Sequence, residues 1–355
     1  MPEHIILPEL GLDSGVVLKD VPIAYDAWGE LNSERNNVIV VCHALTGNTR
    51  ADIWWGPLIG PQQALDTDEY YVICLNVLGS PYGSISPLTT NPDTDRPYGC
   101  EFPAVTVRDT VRAHKAALEQ LGVTQVATAI GGSMGGMQAL EWAFYGSFVR
   151  SIIPVAVGGR HSSWCIGFSE AQRQAIFSDG KWNDGRYESQ PAHGLAVARM
   201  IAMISYRSRR SFDARFGRDA QDGEAGLFAV ESYLRYQGEK LVERFDANCY
   251  VELTKQMDTH DVAVGRGEYE DVLSGITQPT LVVGIDSDIL YPLEEQEELT
   301  RLIPGAKLAI ISSQHGHDAF LIEFERVSDA VGPWLRMQEA IGMKKAAHQL
   351  SESAR

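Results

Sequence analysis

The sequence predicts an α/β protein with a mostly parallel central sheet, covered by helices on both faces and interrupted by a helical insertion. Three observations carry this. Short β-branched runs alternate with helix-length amphipathic segments up to about residue 157. The alternation then stops: residues 161–276 turn polar and rich in Trp, Tyr and Arg, with helical periodicity at 194–206 and 228–245. It resumes at Thr280-Leu281-Val282-Val283. The expected organisation is a core from 1–160 and 277–340, an insertion at 161–276, and a loose tail at 341–355.

Each element has a local reason. Val16-Val17-Leu18 and Val21-Pro22-Ile23-Ala24 flank Lys19-Asp20, which reads as a hairpin turn. Residues 38–41 and 71–75 are continuous apolar runs, as expected of strands buried on both faces. Thr106 can cap a helix over 107–121, with Val107, Val111, Ala117, Leu118 and Leu121 near helical spacing and Gly122 as its stop. A strand over 125–130, a helix over 135–145 and a strand over 151–157 follow. Beyond the insertion come a helix over 292–302, a strand over 307–311 and a last helix over 319–337.

Composition excludes whole classes. The chain has 355 residues, with 30 Lys+Arg against 47 Asp+Glu and a formal charge of −17. That balance argues against nucleic acid or an anionic membrane as the main partner, since both need a basic surface. It leaves room for a small anionic ligand in a local basic pocket. No apolar run approaches the ~18–20 residues that span a bilayer, and Met1-Pro2-Glu3-His4 does not open a secretory signal. Five cysteines (Cys42, Cys74, Cys100, Cys165, Cys249) are odd in number, widely spaced and without a CxxC pair. They read as free thiols of a reducing, cytoplasmic compartment, without disulfides or a zinc site.

The most informative segment is Gly131-Gly132-Ser133-Met134-Gly135-Gly136, after an expected strand and opening an expected helix. That is the setting of a G-x-S-x-G nucleophile elbow. The strand must reverse sharply into the helix with Ser133 at the apex, and the helix N-terminus then directs amide N–H groups at developing negative charge. A phosphate loop would need the missing Lys-Ser/Thr. A serine nucleophile needs a base, and the base an orienting carboxylate, in the chain order Ser, Asp/Glu, His. Asp286 and Asp288 follow the strand ending at Val283, and His315 and His317 follow the next strand. The residues alone leave both pairs open. A metal site from the two histidines plus Asp318 is a minor alternative, since no further ligand is in view.

Taken together, Cys42-His43-Ala44-Leu45-Thr46-Gly47, Trp54-Trp55-Gly56-Pro57-Leu58, Asn76-Val77-Leu78-Gly79-Ser80-Pro81-Tyr82-Gly83, Gly131 through Gly136, and Gly316-His317-Asp318-Ala319-Phe320-Leu321 resemble the homoserine O-acetyltransferase family. This is an α/β-hydrolase-fold branch of acyltransferases. The likeness runs from about residue 15 to 330 and includes Trp164-Cys165 and Arg244-Phe245-Asp246-Ala247 in the insertion. Stretches 231–238 and 245–250 look closest to the fungal enzymes.

The resemblance implies an α/β-hydrolase fold with a helical lid, and a triad of Ser133, Asp288 (in Ser287-Asp288-Ile289-Leu290-Tyr291) and His317 (in Gly316-His317-Asp318). It implies oxyanion donors at the amides of Leu45 and Met134. Its Arg and Tyr seven apart on an insertion helix are Arg199 and Tyr206, ~1.9 turns and so one face apart. Arg199 is then expected on the homoserine carboxylate and Asp318 on its ammonium. By local pattern alone Arg199 is a solvated helix face, and Asp318 also suits an N-cap of the last helix. The implied activity is transfer of acetyl from acetyl-CoA to L-homoserine in methionine biosynthesis, without a cofactor or metal, by a homodimer joined through the lid. Succinyl-CoA as donor, L-serine or deacetylcephalosporin C as acceptor, and a simple esterase are the alternatives. Arg207, Arg209 and Arg210 are either CoA-phosphate ligands or a solvated basic cluster.

Overall fold

The computed structural model describes residues 1–221 and 226–353, with side chains described through Ile341. Eight strands form the main sheet: β1 (Glu3–Gly11), β2 (Val17–Trp28), β3 (Val38–Cys42), β4 (Tyr71–Leu75), β5 (Val126–Gly132), β6 (Ile152–Val155), β7 (Leu281–Ile285) and β8 (Lys307–Ile311). Their spatial order is β1-β2-β4-β3-β5-β6-β7-β8. β1 with β2 and β2 with β4 are antiparallel, and every later neighbour pair is parallel.

The continuous apolar runs mean what a two-faced sheet requires. In β3, Val38, Val40 and Cys42 enter one core while Ile39 and Val41 enter the other. Helices α1 (Val107–Gln120) and α2 (Met134–Trp142) cover the first face, with Val111, Leu118, Met137 and Leu140 in that core. The α1 start is a capping box: Thr106 accepts from the Asp109 amide and Asp109 accepts from the Thr106 amide, each at 3.0 Å.

Between β6 and β7 lie α3 (Ser163–Phe177), α4 (Ala192–Ser205), α5 (Arg209–Phe216), α6 (Ala229–Val242), α7 (Ala247–Asp258) and α8 (Tyr269–Ser274). Their described residues contribute no strand to the main sheet. Leu195, Ala198, Leu241, Tyr250 and Leu253 from these helices, with Phe245 between two of them, belong to the same buried cluster as the first face of the sheet. The segment is therefore packed onto the α/β core. α9 (Leu293–Leu302) joins β7 to β8, and α10 (Phe324–Ser353) places Val327, Val331 and Trp334 on the second face.

Three expectations change. The hairpin does not turn at Lys19-Asp20. It turns earlier, where the Leu12 amide donates to the Val16 carbonyl at 2.8 Å and Gly15 supplies φ +85°. Asp20, at φ 50°, stays inside β2 opposite Pro8, which has no N–H to donate. The last helix begins at Phe324 rather than 319, because residues Gly316–Leu321 form a separate 3-10 turn; Asp318 is thus not its cap. Finally, the tail expected to be loose from 341 continues α10 to Ser353. Met343 to Leu350 are good helix formers, and extending a helix needs no new nucleus. Residues 354–355 lie outside the described residues, as do 222–225 of the insertion.

The elbow depends on two glycines. A Cβ on Gly131 would stand 2.5 Å from the Cys42 carbonyl oxygen, and one on Gly135 would overlap that same oxygen. The obstacle is β3 backbone, hydrogen-bonded on both sides, and it cannot yield as a side chain would. Gly135→Ala is expected to destabilise the protein by about 3 kcal/mol or more. A lower urea midpoint at unchanged m-value checks this; an unchanged midpoint would show that the turn can open.

Candidate active site

Leu45 follows β3, Asn76 follows β4, Ser133 follows β5, Asp288 follows β7 and His317 follows β8. Every sequence-expected triad and oxyanion residue therefore sits at the C-terminal edge of the parallel strands, where an open α/β sheet presents its site.

Ser133 holds φ 59°, ψ −125°, a strained conformation for a non-glycine residue. Its amide bonds the Val155 carbonyl of β6 at 3.0 Å, and its carbonyl accepts from Gly136 and Met137 in the first turn of α2. The hydroxyl side faces a narrow cavity of about 20 Å³ lined by Leu45, His161, Cys165, Tyr206, Leu290 and Tyr291 among others. Room of that size holds about one water.

His317 Nδ1 and Asp288 Oδ2 are 2.6 Å apart. The other Asp288 oxygen accepts from the amides of Leu290 (2.8 Å) and Tyr291 (3.0 Å), so the carboxylate is locked. This selects between the alternatives the residues left open: Asp286 instead accepts from Ser313, and His315 faces the Ser211 hydroxyl at 3.4 Å. With Nδ1 donating to Asp288, Nε2 is the free basic atom, and it is buried with no protein hydrogen-bond partner. Burial opposes charge on His317, but the carboxylates of Asp288 and Asp318 outweigh it and hold the imidazole above its ordinary pKa. Ser133 makes no hydrogen bond to it in this state. The Phe320 ring lies edge-on to His317 at 5.5 Å and stands where a Cβ on Gly132, the residue before Ser133, would be.

The Leu45 amide belongs to a turn closed by Gly47 N–H on the Ala44 carbonyl, 2.8 Å. His43 fastens it from below. The Val77 amide donates to His43 Nε2 (3.1 Å), so Nδ1 carries the proton and donates to Ala44 O (2.9 Å). Complete burial lowers His43 to about 4 and keeps it neutral in this role. Met134 opens α2, so its amide is one of the helix's unpaired first N–H groups. Both expected oxyanion donors border Ser133.

The residues expected to read an amino acid also converge. The Arg199 guanidinium lies 5.7 Å from the Tyr206 ring centre, as one-face spacing requires, and the Tyr206 ring is 5.8 Å from His317. Burial pushes the Tyr206 phenol up to about 12, so it stays protonated. Asp318 donates its amide to the Tyr206 carbonyl (3.0 Å), and its carboxylate pairs with Arg207 Nε at 3.0 Å. Arg207 is thereby committed to the site's own anion, while exposed Arg209 pairs with Asp213 four residues on.

Sequence reasoning missed two features. Tyr291 packs against His317 with the rings tilted and 5.2 Å apart, and bonds His161 across the cavity at 3.1 Å. Arg244 reaches from the insertion to Thr46 and Tyr82. Both lay within recognised motifs, but nothing in their local spacing gave them a role. Among the described residues no group of three His, Cys, Asp or Glu is arranged to hold a metal ion, and no helix is long and apolar enough to cross a membrane.

Comparison with known proteins agrees with this geometry. A family model for the alpha/beta hydrolase fold matches residues 37–324. A homoserine O-acetyltransferase of Salinibacter ruber is 59% identical over 342 residues, covering 94% of this chain and 97% of that protein. One from Gibberella moniliformis is 49% identical over 365 residues, covering 92% and 79%. Whole-chain identity is thus higher to this bacterial enzyme than to the fungal one, against the leaning of the short insertion stretches. Among solved structures, homoserine O-acetyltransferase from Bacillus anthracis has a TM-score of 0.88 at 27% identity over 94% of this chain and 97% of that one. Esterase E22 has 0.87 at 27% over 94% and 99%. Identity of this order along nearly all of both chains, on a fold that carries the Ser133, Asp288 and His317 constellation, makes this chain a member of the homoserine O-acetyltransferase family of α/β-hydrolase-fold proteins.

Proposed function

We propose that this protein transfers the acetyl group of acetyl-CoA to the γ-hydroxyl of L-homoserine by a ping-pong mechanism. The observation that carries the reading is the placement of opposite charges, Arg199 and Asp318, around Tyr206 beside the His317 ring. A zwitterionic head group needs one cation and one anion, and a plain ester does not. Arg199 pairs with the α-carboxylate; Asp318 shares its carboxylate between Arg207 and the α-ammonium.

In the first half-reaction His317 Nε2 takes the Ser133 proton and Ser133 attacks the thioester carbonyl. The oxyanion rests on the Leu45 and Met134 amides, and CoA leaves as the thiol with the proton from His317. In the second, His317 takes the proton of the homoserine hydroxyl, which attacks the acyl-serine. Collapse returns the proton to Ser133 and releases O-acetyl-L-homoserine. The insertion, residues 161–276, acts as a lid: water must be kept from an acyl-serine that the same triad would hydrolyse. CoA is a substrate, and the reaction needs no cofactor. Five free thiols suit a cytoplasmic enzyme, and the insertion is the surface through which the family resemblance implies a homodimer.

The cavity lining favours acetyl over succinyl. Among the described residues its lining holds no Lys or Arg, and burial lowers His161 to about 3, hence neutral. A distal succinyl carboxylate would have no cation there. The structural likeness to esterase E22 supports one second reading, hydrolysis of short esters by the same triad.

Thiol release from acetyl-CoA separates the two. L-homoserine is expected to accelerate it strongly and Ser133→Ala to abolish it; slow release indifferent to homoserine would leave the esterase. The raised His317 pKa sets a pH dependence. The neutral imidazole is the base, so kcat/KM should fall on the acid side with a midpoint above ~6.5, the ordinary imidazole value. Asp288→Asn removes the chief opposing charge. It should shift that midpoint down and cut kcat by roughly 10⁴-fold, as loss of a triad carboxylate does elsewhere.

A further inference from the structure

We propose that Arg244, which the reading above leaves without a role, is a positioning residue for the oxyanion hole. It stands just beyond the C-terminus of α6, on the insertion, yet it bonds the core. Its Nη1 donates to the Thr46 carbonyl (2.9 Å) and to the Tyr82 hydroxyl (2.5 Å), and its Nη2 to Thr46 Oγ1 (3.4 Å). Thr46 follows Leu45 directly, and both are the central residues of the turn closed by Gly47 and Ala44. Where that turn sits decides where the Leu45 N–H points.

The turn is gripped from two sides. On the inner side, neutral His43 holds the Ala44 carbonyl, and Gln138 of α2 holds the His43 carbonyl at 3.1 Å. On the outer side, the grip comes from the Arg244 fork. The fork has a rigid base: Phe245 is 3% exposed and packs edge-on against Tyr82 (5.7 Å) and Tyr250 (6.0 Å), and Asp246 caps α7 through the Cys249 amide. Among the described residues Arg244 has no carboxylate within ion-pair distance, so its donors are spent on this loop and on Tyr82. A lysine could not reproduce a planar fork that spans a carbonyl, a hydroxyl and a phenol.

The consequence is a link between the insertion and the chemistry. With the insertion seated, the turn is held and the Leu45 donor is aimed. With Arg244 withdrawn, the turn keeps only its inner grip, and a small error in aim costs rate because oxyanion donors act through geometry. Arg244 is itself exposed, so its removal leaves no buried cavity, and the fold is expected to survive.

The test is acylation alone, in the full chain, with p-nitrophenyl acetate. Ser133 Oγ bonds the acetyl carbon, p-nitrophenolate leaves, and His317 receives the serine proton. This step uses neither CoA nor homoserine, so its outcome is separable from the acetyltransferase reading. Arg244→Ala is expected to slow the pre-steady-state p-nitrophenol burst by roughly 10- to 100-fold, somewhat less than outright loss of an oxyanion donor. KM for homoserine should stay within about twofold, since Arg244 acts through the loop. Added guanidinium ion should restore part of the burst rate in Arg244→Ala and leave the parent unchanged, and Arg244→Lys should remain slow. An unchanged burst overturns the proposal. So does a defect confined to the homoserine KM, which would make Arg244 a substrate ligand. If Arg244→Ala does not fold, Arg244→Gln carries the same measurements.

Discussion

The site depends on the close approach of the β5–α2 turn to the end of β3. Gly131 and Gly135 both lie against the carbonyl oxygen of Cys42, at a separation that admits no side chain. That contact does two things. It forces the backbone reversal that leaves Ser133 at a positive φ, and it places the start of α2 beside the His43–Gly47 loop that continues from β3. Ser133 and the amides of Leu45 and Met134 are therefore set by one backbone contact. Gln138, one turn into α2, repeats the link by bonding the His43 carbonyl.

The second half of the site is assembled by the insertion. The 3-10 turn carrying His317 follows the short β8 and opens on Gly316, whose φ of +69° and close approach to Arg207 and Ser208 leave no room for a side chain. Tyr206 accepts the Asp318 amide, Ser208 donates to the Gln314 carbonyl, and Arg207 pairs with Asp318. One short stretch of the insertion thus clasps the His317 loop from outside, while Phe320 packs between His317 and Gly132 from inside. The insertion is in this sense part of the frame that holds His317.

Charge is deployed locally. A chain of formal charge −17 assembles Arg199 and Arg207 around Asp318 and His317, and sets Arg244 on the oxyanion loop. The buried histidines beside the site, His43 and His161, are neutral because burial lowers them to about 4 and about 3. His317 differs because its desolvation is more than offset by the carboxylates of Asp288, at 2.6 Å, and Asp318.

The sequence by itself determined the alternation of strands and helices, the interruption, and the elbow, because hydrophobic period, Gly placement and caps are local signals. It also supplied the triad order and, through the motifs of the family, the residues Arg199, Tyr206 and Asp318. Periodicity misplaced what depends on pairing between strands. The first hairpin turns at Gly15 and not at Asp20, whose positive φ lies inside β2 at the point where the ladder skips a pair. Only the tertiary structure decided between Asp286 and Asp288 and between His315 and His317 on physical grounds, since each pair is two residues apart and differs in which side chain the strand-end loops aim inward. Only it gave Tyr291 and Arg244 their places. Their hydrogen-bond partners His161, Tyr82 and Thr46 are 130 to 198 residues away in the chain, and no local pattern encodes a contact of that span.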